Sequence, residues 1–303
     1  MRLGISLSSS RPPGDSVAHT NGARSIVERA RAANQSGLDS LTLGDHHAMA
    51  SPYYQNIPMI GRLLAEWDPD RPVGCLFLLP LWHPVLVAEQ VATLATLSDA
   101  PFIIQTGIGG GDQQFAAMGA SLTTRAVALE ESVRIIKGLL AGEPMSSEPF
   151  GLTEARISPL PPHGVEWWMG AGVTNALRRA ARLGDAWYTD PRVTPESIAA
   201  PLADYERFCA EAGTTPSTVV RKDVIVLRDG DRARRTGDAL VAAGYRGMDS
   251  SQLVYGGVEE VIDQLGPFEG MGISELMVRC MNVDEPDALE TIECCGEVRR
   301  AFA

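Results

Sequence analysis

Residues 73–112 read VGCLFLLPLWHPVLVAEQVATLATLSDAPFIIQTGIGGGD. The stretch opens on an uninterrupted apolar run, Val73–Leu79, which has the length of a strand buried on both faces. Pro84 then stands near the start of a helix-period segment, His83–Ser98, in which Val87, Val91, Leu94 and Ala95 recur on one face. A second apolar run, Phe102–Gly107, follows and ends in glycines. Strand, helix, strand, with both strands apolar throughout, is the pattern of a parallel βα unit.

The unit repeats. Apolar runs at Leu3–Leu7, Ser40–Leu43, Val73–Leu79, Phe102–Gly107, Glu166–Met169, Ala186–Tyr188, Val219–Leu227 and Glu275–Arg279 alternate with helical segments, among them 22–37, 83–98, 123–140, 175–183, 196–212, 231–243, 258–265 and 287–302. Eight such units predict a (β/α)8 barrel, a TIM barrel, with residues 1–303 as one domain. The stretch 142–164 breaks the rhythm with Pro144, Pro149, Pro159, Pro161 and Pro162. It is expected to be an inserted, lid-like loop outside the barrel.

Composition narrows the partners. The net charge of −12 argues against nucleic acid and against an anionic membrane surface. No apolar run approaches the ~20 residues that span a bilayer, and the apolar stretch at the start is too short for a signal peptide. The five cysteines, Cys75, Cys209, Cys280, Cys294 and Cys295, are odd in number and include no CxxC pair. Neither a disulfide framework nor a cysteine zinc site is expected, and the simplest reading is a reduced cytoplasmic protein.

In a barrel of this kind the chemistry sits where strands end. Asp45-His46-His47 ends the second run. An Asp beside a His there can tune a base, orient a cofactor or merely cap a loop. Metal binding is disfavoured, because adjacent histidines diverge and no second ligand pair follows at suitable spacing. Gly107-Ile108-Gly109-Gly110-Gly111-Asp112 ends the fourth run, where glycines let backbone approach something flat or phosphorylated. The dinucleotide pattern fails there, since Asp112 occupies the last glycine position. Gly172, Val173 and Thr174 lead into a helix whose free amides and hydroxyl suit a phosphate, although Thr174 also serves as a simple N-cap. Arg178, Arg179 and Arg182 on that helix are expected to face solvent. Trp82, His47 and, from the long loop 45–56, Tyr53 are candidates for a substrate pocket.

Taken in chain order, these stretches resemble the bacterial luciferase-like monooxygenase superfamily, including its members that use the deazaflavin coenzyme F420. The matching segments are Asp45-His46, Pro80–Leu94, Leu97-Ser98, Gly107–Gly111, the helix carrying Arg125, Glu130 and Glu131, and Ala176–Trp187. The resemblance implies a reduced flavin (FMN), or alternatively coenzyme F420, lying across the barrel mouth. It implies that Asp45 and His46 face the reactive ring and that Cys75-Leu76 forms a cis peptide behind it. It also implies that Gly109, Gly110 and Gly111 approach the cofactor, with Asp112 at a family carboxylate position, and that Gly172, Val173 and Thr174 hold the phosphate. Trp82 and Asp99-Ala100-Pro101 depart from common family residues. The implied activity is monooxygenation of a small organic substrate with FMN, or hydride transfer with coenzyme F420. A separate flavin or deazaflavin reductase and a homodimer are the expected partners. Two other classes are a ligand-binding barrel without catalysis and a metal-dependent hydrolase. The hydrolase would need ligands at several strand ends, whereas only His46 and His47 of the five histidines stand well placed.

Overall fold

Each of the eight apolar runs is a strand in the computed structural model, which describes residues 1–302. The chain runs β1 (Arg2–Leu7), α1 (Ser16–Gln35), β2 (Leu41–Leu43), α2 (Asn56–Leu63), β3 (Val73–Leu78), α3 (Pro84–Ala95), β4 (Phe102–Gly107), α4 (Asp112–Ala117) and α5 (Arg125–Leu140). It continues through β5 (Met145–Ser147), β6 (Leu152–Ala155), β7 (Val165–Gly170), α6 (Thr174–Leu183), β8 (Ala186–Tyr188), α7 (Pro195–Ala212), β9 (Thr218–Val226) and α8 (Gly230–Ala242). It closes with β10 (Val254–Gly256), α9 (Val258–Gly270), β11 (Glu275–Cys280) and α10 (Glu285–Ala301).

Strands pair in parallel in the order β1, β2, β3, β4, β7, β8, β9, β11 and back to β1, so the sheet closes on itself. This is the expected (β/α)8 barrel. The extra strand β10 was not legible as an apolar run. It is short and takes the end of β9, Val224–Val226, on the edge whose start, Thr218 and Val219, belongs to β8. Side chains from five strands, Ile103, Trp168, Ala186, Tyr188, Val219 and Met277, pack as one buried cluster.

Local chemistry sets the helix starts. Asp15, Asp229 and Asp284 each accept an amide hydrogen bond from the first turn of the helix that follows, and Thr194 forms a reciprocal cap with Ser197. Pro84 opens α3, where a missing N–H costs nothing. Residues 142–164 lie outside the barrel and contain the antiparallel hairpin β5–β6. The hairpin is pinned to α5: Ser147 Oγ donates to Glu131 at 2.6 Å, and Arg134 donates to the Ser146 carbonyl at 2.9 Å.

One glycine is dictated by the closeness of β3 and β4. A Cβ on Gly74 would lie 2.1 Å from the Ile103 carbonyl oxygen, which is fixed in the sheet. We expect Gly74→Ala to lower the unfolding free energy by about 1–3 kcal/mol, the range for overpacking a rigid interior. Chemical denaturation would check this, and an unchanged midpoint would contradict it.

Candidate active site

The mouth of the barrel, where the strands end, holds two adjoining cavities of about 470 and 530 Å³. Leu76 and Arg221 line both and stand at the boundary between them.

The first cavity takes its walls from the ends of β1, β2, β3, β4, β9 and β11. Asp45 lines it but is only 3% exposed; its Oδ2 is hydrogen-bonded, whereas its buried Oδ1 has no hydrogen-bond partner. Oδ2 accepts from the Leu78 amide and from Trp82 Nε1, both at 2.8 Å, and Oδ1 lies 3.2 Å from His47 Nε2. Asp45 therefore ties the end of β2 to the turn after β3. Its histidine neighbour is His47, not His46. The His47 ring is buried and packs edge-on against Trp82 at 5.1 Å.

His46 turns the other way, is exposed, and lines the cavity beside Tyr53, which contacts it edge-on at 5.6 Å. Gln114 orients it. The Gln114 Nε2 donates to the Gly110 carbonyl at 3.0 Å, which fixes its Oε1 as the acceptor toward the His47 amide at 2.8 Å and His46 Nδ1 at 2.9 Å. Facing an acceptor, Nδ1 carries the proton, and in the neutral ring Nε2 is left as the basic nitrogen. Burial, with Asp45 next, pushes the Tyr53 phenol up, so it stays protonated as a donor.

Across the cavity, Asp223 is fully buried and meets three guanidiniums: Arg246 at 2.9 Å, Arg221 at 3.2 Å and Arg279 at 3.4 Å. The Tyr245 hydroxyl also donates to it at 2.9 Å. Burial alone would raise its carboxyl; the three arginines outweigh that and hold it below the ordinary carboxylate value.

The second cavity lies between the ends of β4, β7 and β8 and the start of α6. The N-cap of α6 is Val173, and no side chain caps the helix. Thr174 is thus the first helical residue, not the cap. The Ala176 amide already donates to the Val173 carbonyl at 2.9 Å, whereas the Thr174 and Asn175 amides ahead of it suit an anion, which the partial positive charge at a helix start also favours. Gly172 has open space around it: a Cβ there would meet nothing within 4 Å. Arg125 and Arg179 line the same cavity. Arg125 donates to the Gly109 carbonyl at 2.9 Å, and Arg179 meets Glu130 at 2.9 Å. Arg182 faces solvent as expected, but Arg179 does not: its side chain is 14% exposed. This donor set, an uncapped helix start with two guanidiniums, fits a phosphate.

Several sequence expectations move. The Cys75–Leu76 bond is not cis; the cis peptide among the described residues is Ser158–Pro159. A trans bond is what an ordinary strand prefers, and β3 pairs with β4 in unbroken register through both residues. Cys75 is a fully buried thiol, pushed well up by burial and then by Asp45. Leu76 does line both cavities. Asp112 is exposed at the first turn of α4 and lines neither cavity; two residues on, Gln114 makes the contact with His46. Gly109 and Gly110 line the first cavity, whereas Gly111 does not. Gly109 and Gly111 adopt φ of 68° and 88°, which explains two of the three glycines as turn residues. Trp82 and His47 support Asp45 and are not wall residues, and Tyr53 is on the wall.

Arg125, Arg179, Arg221, Asp223, Arg246 and Arg279 were not singled out for the site from sequence. One signal was present: Arg221-Lys222-Asp223 interrupts the apolar run 219–227, and buried charges are rare without a purpose.

Comparison with known proteins agrees with this architecture. A family model described as luciferase-like monooxygenase matches residues 1–268. The F420-dependent glucose-6-phosphate dehydrogenase of Amycolatopsis mediterranei is 26% identical over 176 residues, covering 55% of this chain and 53% of that protein. The chain spans about half the length of the curated relatives it matches. Monooxygenase RslO1 from Streptomyces bottropensis superposes with a TM-score of 0.81 at 17% identity, covering both chains completely (100% and 100%). The oxygenating constituent of 3,6-diketocamphane monooxygenase from Pseudomonas putida, solved with FMN, gives 0.81 at 17% identity over 98% and 97% of the chains. At these identities the solved structures establish the fold.

Proposed function

The chain belongs to the luciferase-like monooxygenase family, and from that premise we propose that it is an oxidoreductase that binds a flavin-type cofactor across the barrel mouth and acts there on a small organic molecule. The observation that carries this reading is the pairing of cavities. One offers an uncapped helix start to a phosphate, the other a histidine of defined tautomer, and Leu76 lies against both. Gly172, Val173 and Thr174, with Arg125 and Arg179, would hold the phosphate-bearing end. Leu76, Gly109 and Gly110 would lie along the ring. Such a ring supplies hydride transfer or, as reduced FMN with dioxygen, oxygenation.

The rest falls to the protein's own side chains. Gln114 keeps the proton of His46 on Nδ1, so Nε2 accepts a proton from the substrate or returns one to it. Asp45 holds the loop that carries His46 against β3. Our first reading is an FMN-dependent monooxygenase, with a separate reductase supplying the reduced flavin. The second reading, deazaflavin-dependent hydride transfer, is favoured by curated relatives that are F420-dependent dehydrogenases. Titrating the protein with FMN and with coenzyme F420, followed by ring fluorescence, tests both. Saturable binding of FMN supports the first, saturable binding of coenzyme F420 alone supports the second, and binding of neither overturns the proposal.

A further inference from the structure

We propose that the first cavity contains an anion subsite: the small molecule acted on carries a carboxylate or phosphate group that docks on Arg221, Arg246 and Arg279. This rests on the oxidoreductase reading above and adds the class of substrate to it.

Charge balance is the first argument. Three guanidiniums line this cavity and converge on one carboxylate, Asp223. The acid on the wall, Asp45, is turned toward Leu78, Trp82 and His47. The wall therefore carries surplus positive charge in a chain whose net charge is −12. Hydrogen bonding is the second argument. Arg221 gives Nη2 to Asp223 at 3.2 Å and Arg246 gives Nη1 at 2.9 Å, so neither five-donor guanidinium is used up by the carboxylate, and both residues line the cavity. A guanidinium fork matches carboxylate and phosphate oxygens.

The backbone supplies a third argument. Arg246 sits at φ 51°, a left-handed conformation uncommon for a residue with a Cβ, between Gly244 and Gly247 at 79° and 64°. This strained turn aims a long cation at the cavity, and strain of this kind collects at ligand sites. Arg279 also donates to Ser8 Oγ at 3.0 Å, so the end of β1 helps hold it in place. His46 lines the same cavity, so an anion held by the arginines places the rest of its molecule in the space the base faces.

The test uses inorganic phosphate and acetate as probes, with chloride holding ionic strength constant, and calorimetric titration of the full chain. We expect one of the two to bind saturably. Arg246→Gln and Arg279→Gln should weaken that binding by about tenfold or more, the loss expected for a charge-assisted hydrogen bond. Gly172→Leu should leave the arginine-dependent component intact while removing any phosphate binding at the proposed α6 site, which separates the two. Arg246 is the more exposed of the two, so its variant carries the test if Arg279→Gln does not fold by circular dichroism. Absence of saturable binding, or loss in Gly172→Leu but not in the folded arginine variants, overturns the subsite. Cofactor titrations on the same proteins keep the two claims apart: arginine-dependent anion binding without cofactor binding sinks only the redox reading, and the reverse sinks only the subsite.

Discussion

Replacing His46 with alanine is expected to lower turnover by about 10²–10⁴-fold, the usual contribution of a positioned acid–base group, while cofactor affinity changes little. The expectation follows from a chain of contacts. Gln114 donates to Gly110 and accepts from His46 Nδ1, which leaves Nε2 as the nitrogen able to take up a proton. The residues proposed to hold the phosphate line the other cavity, so removing the imidazole does not touch them. His47→Ala should behave differently. Its ring is buried against Trp82 and faces Asp45 Oδ1, so its loss should appear first as lower thermal stability. Normal turnover in His46→Ala with impaired turnover in a stable His47→Ala would show that the wrong histidine has been assigned.

The second large effect lies at the opposite end of the barrel, where the strands begin. Glu275 on β11 is fully buried, and burial pushes its carboxyl up to about 7 even though Arg2 and Ser40 oppose the shift. Arg2 lies 2.7 Å from Oε2, and Ser40 donates to Oε1. Below the ordinary value of 4.5 the group is protonated in folded and unfolded chains alike. Between 4.5 and about 7 the folded chain retains a proton that the unfolded chain has released, so folding stability falls as pH rises through this window. A rise from 4.5 to about 7 corresponds to about 3 kcal/mol. Glu275→Gln keeps the shape and removes the titration. Measured by urea denaturation, its stability relative to the parent should grow by about that amount from pH 4.5 to pH 8. Parallel pH profiles for the two proteins would contradict the assignment.

The barrel was legible because each closing strand is buried on both faces and therefore reads as an apolar run. Strand β10 was not, because Val-Tyr-Gly holds one aliphatic residue, a half-buried tyrosine and a glycine, and it is recruited by the end of β9. The site was legible only in part. His46, Gly109, Gly110 and Gly172–Thr174 announce themselves at strand ends by residue type. Gln114 does not, since its role depends on how α4 folds back over the end of β2. The arginine cluster is assembled from β9, β11 and the turn at 245–247, which are distant in sequence. Asp112 stands at a family carboxylate position only by resemblance, and the direction of its side chain depends on the start of α4. The cis peptide was likewise an inference from resemblance, and nothing in the residues Cys75-Leu76 themselves requires it.

The central claim is that a phosphate-bearing redox cofactor is anchored at the start of α6, and equilibrium binding of FMN and coenzyme F420 to the parent and to Gly172→Leu tests it most directly. A Cβ at this position meets nothing within 4 Å in the folded chain, so the variant should fold normally and any change in binding reports on the site. The account predicts saturable binding of at least one cofactor to the parent and about tenfold or weaker binding to the variant, as expected for loss of charge-assisted contacts to a phosphate. Equal affinity in the two proteins, or no binding of either cofactor to the parent, would contradict it.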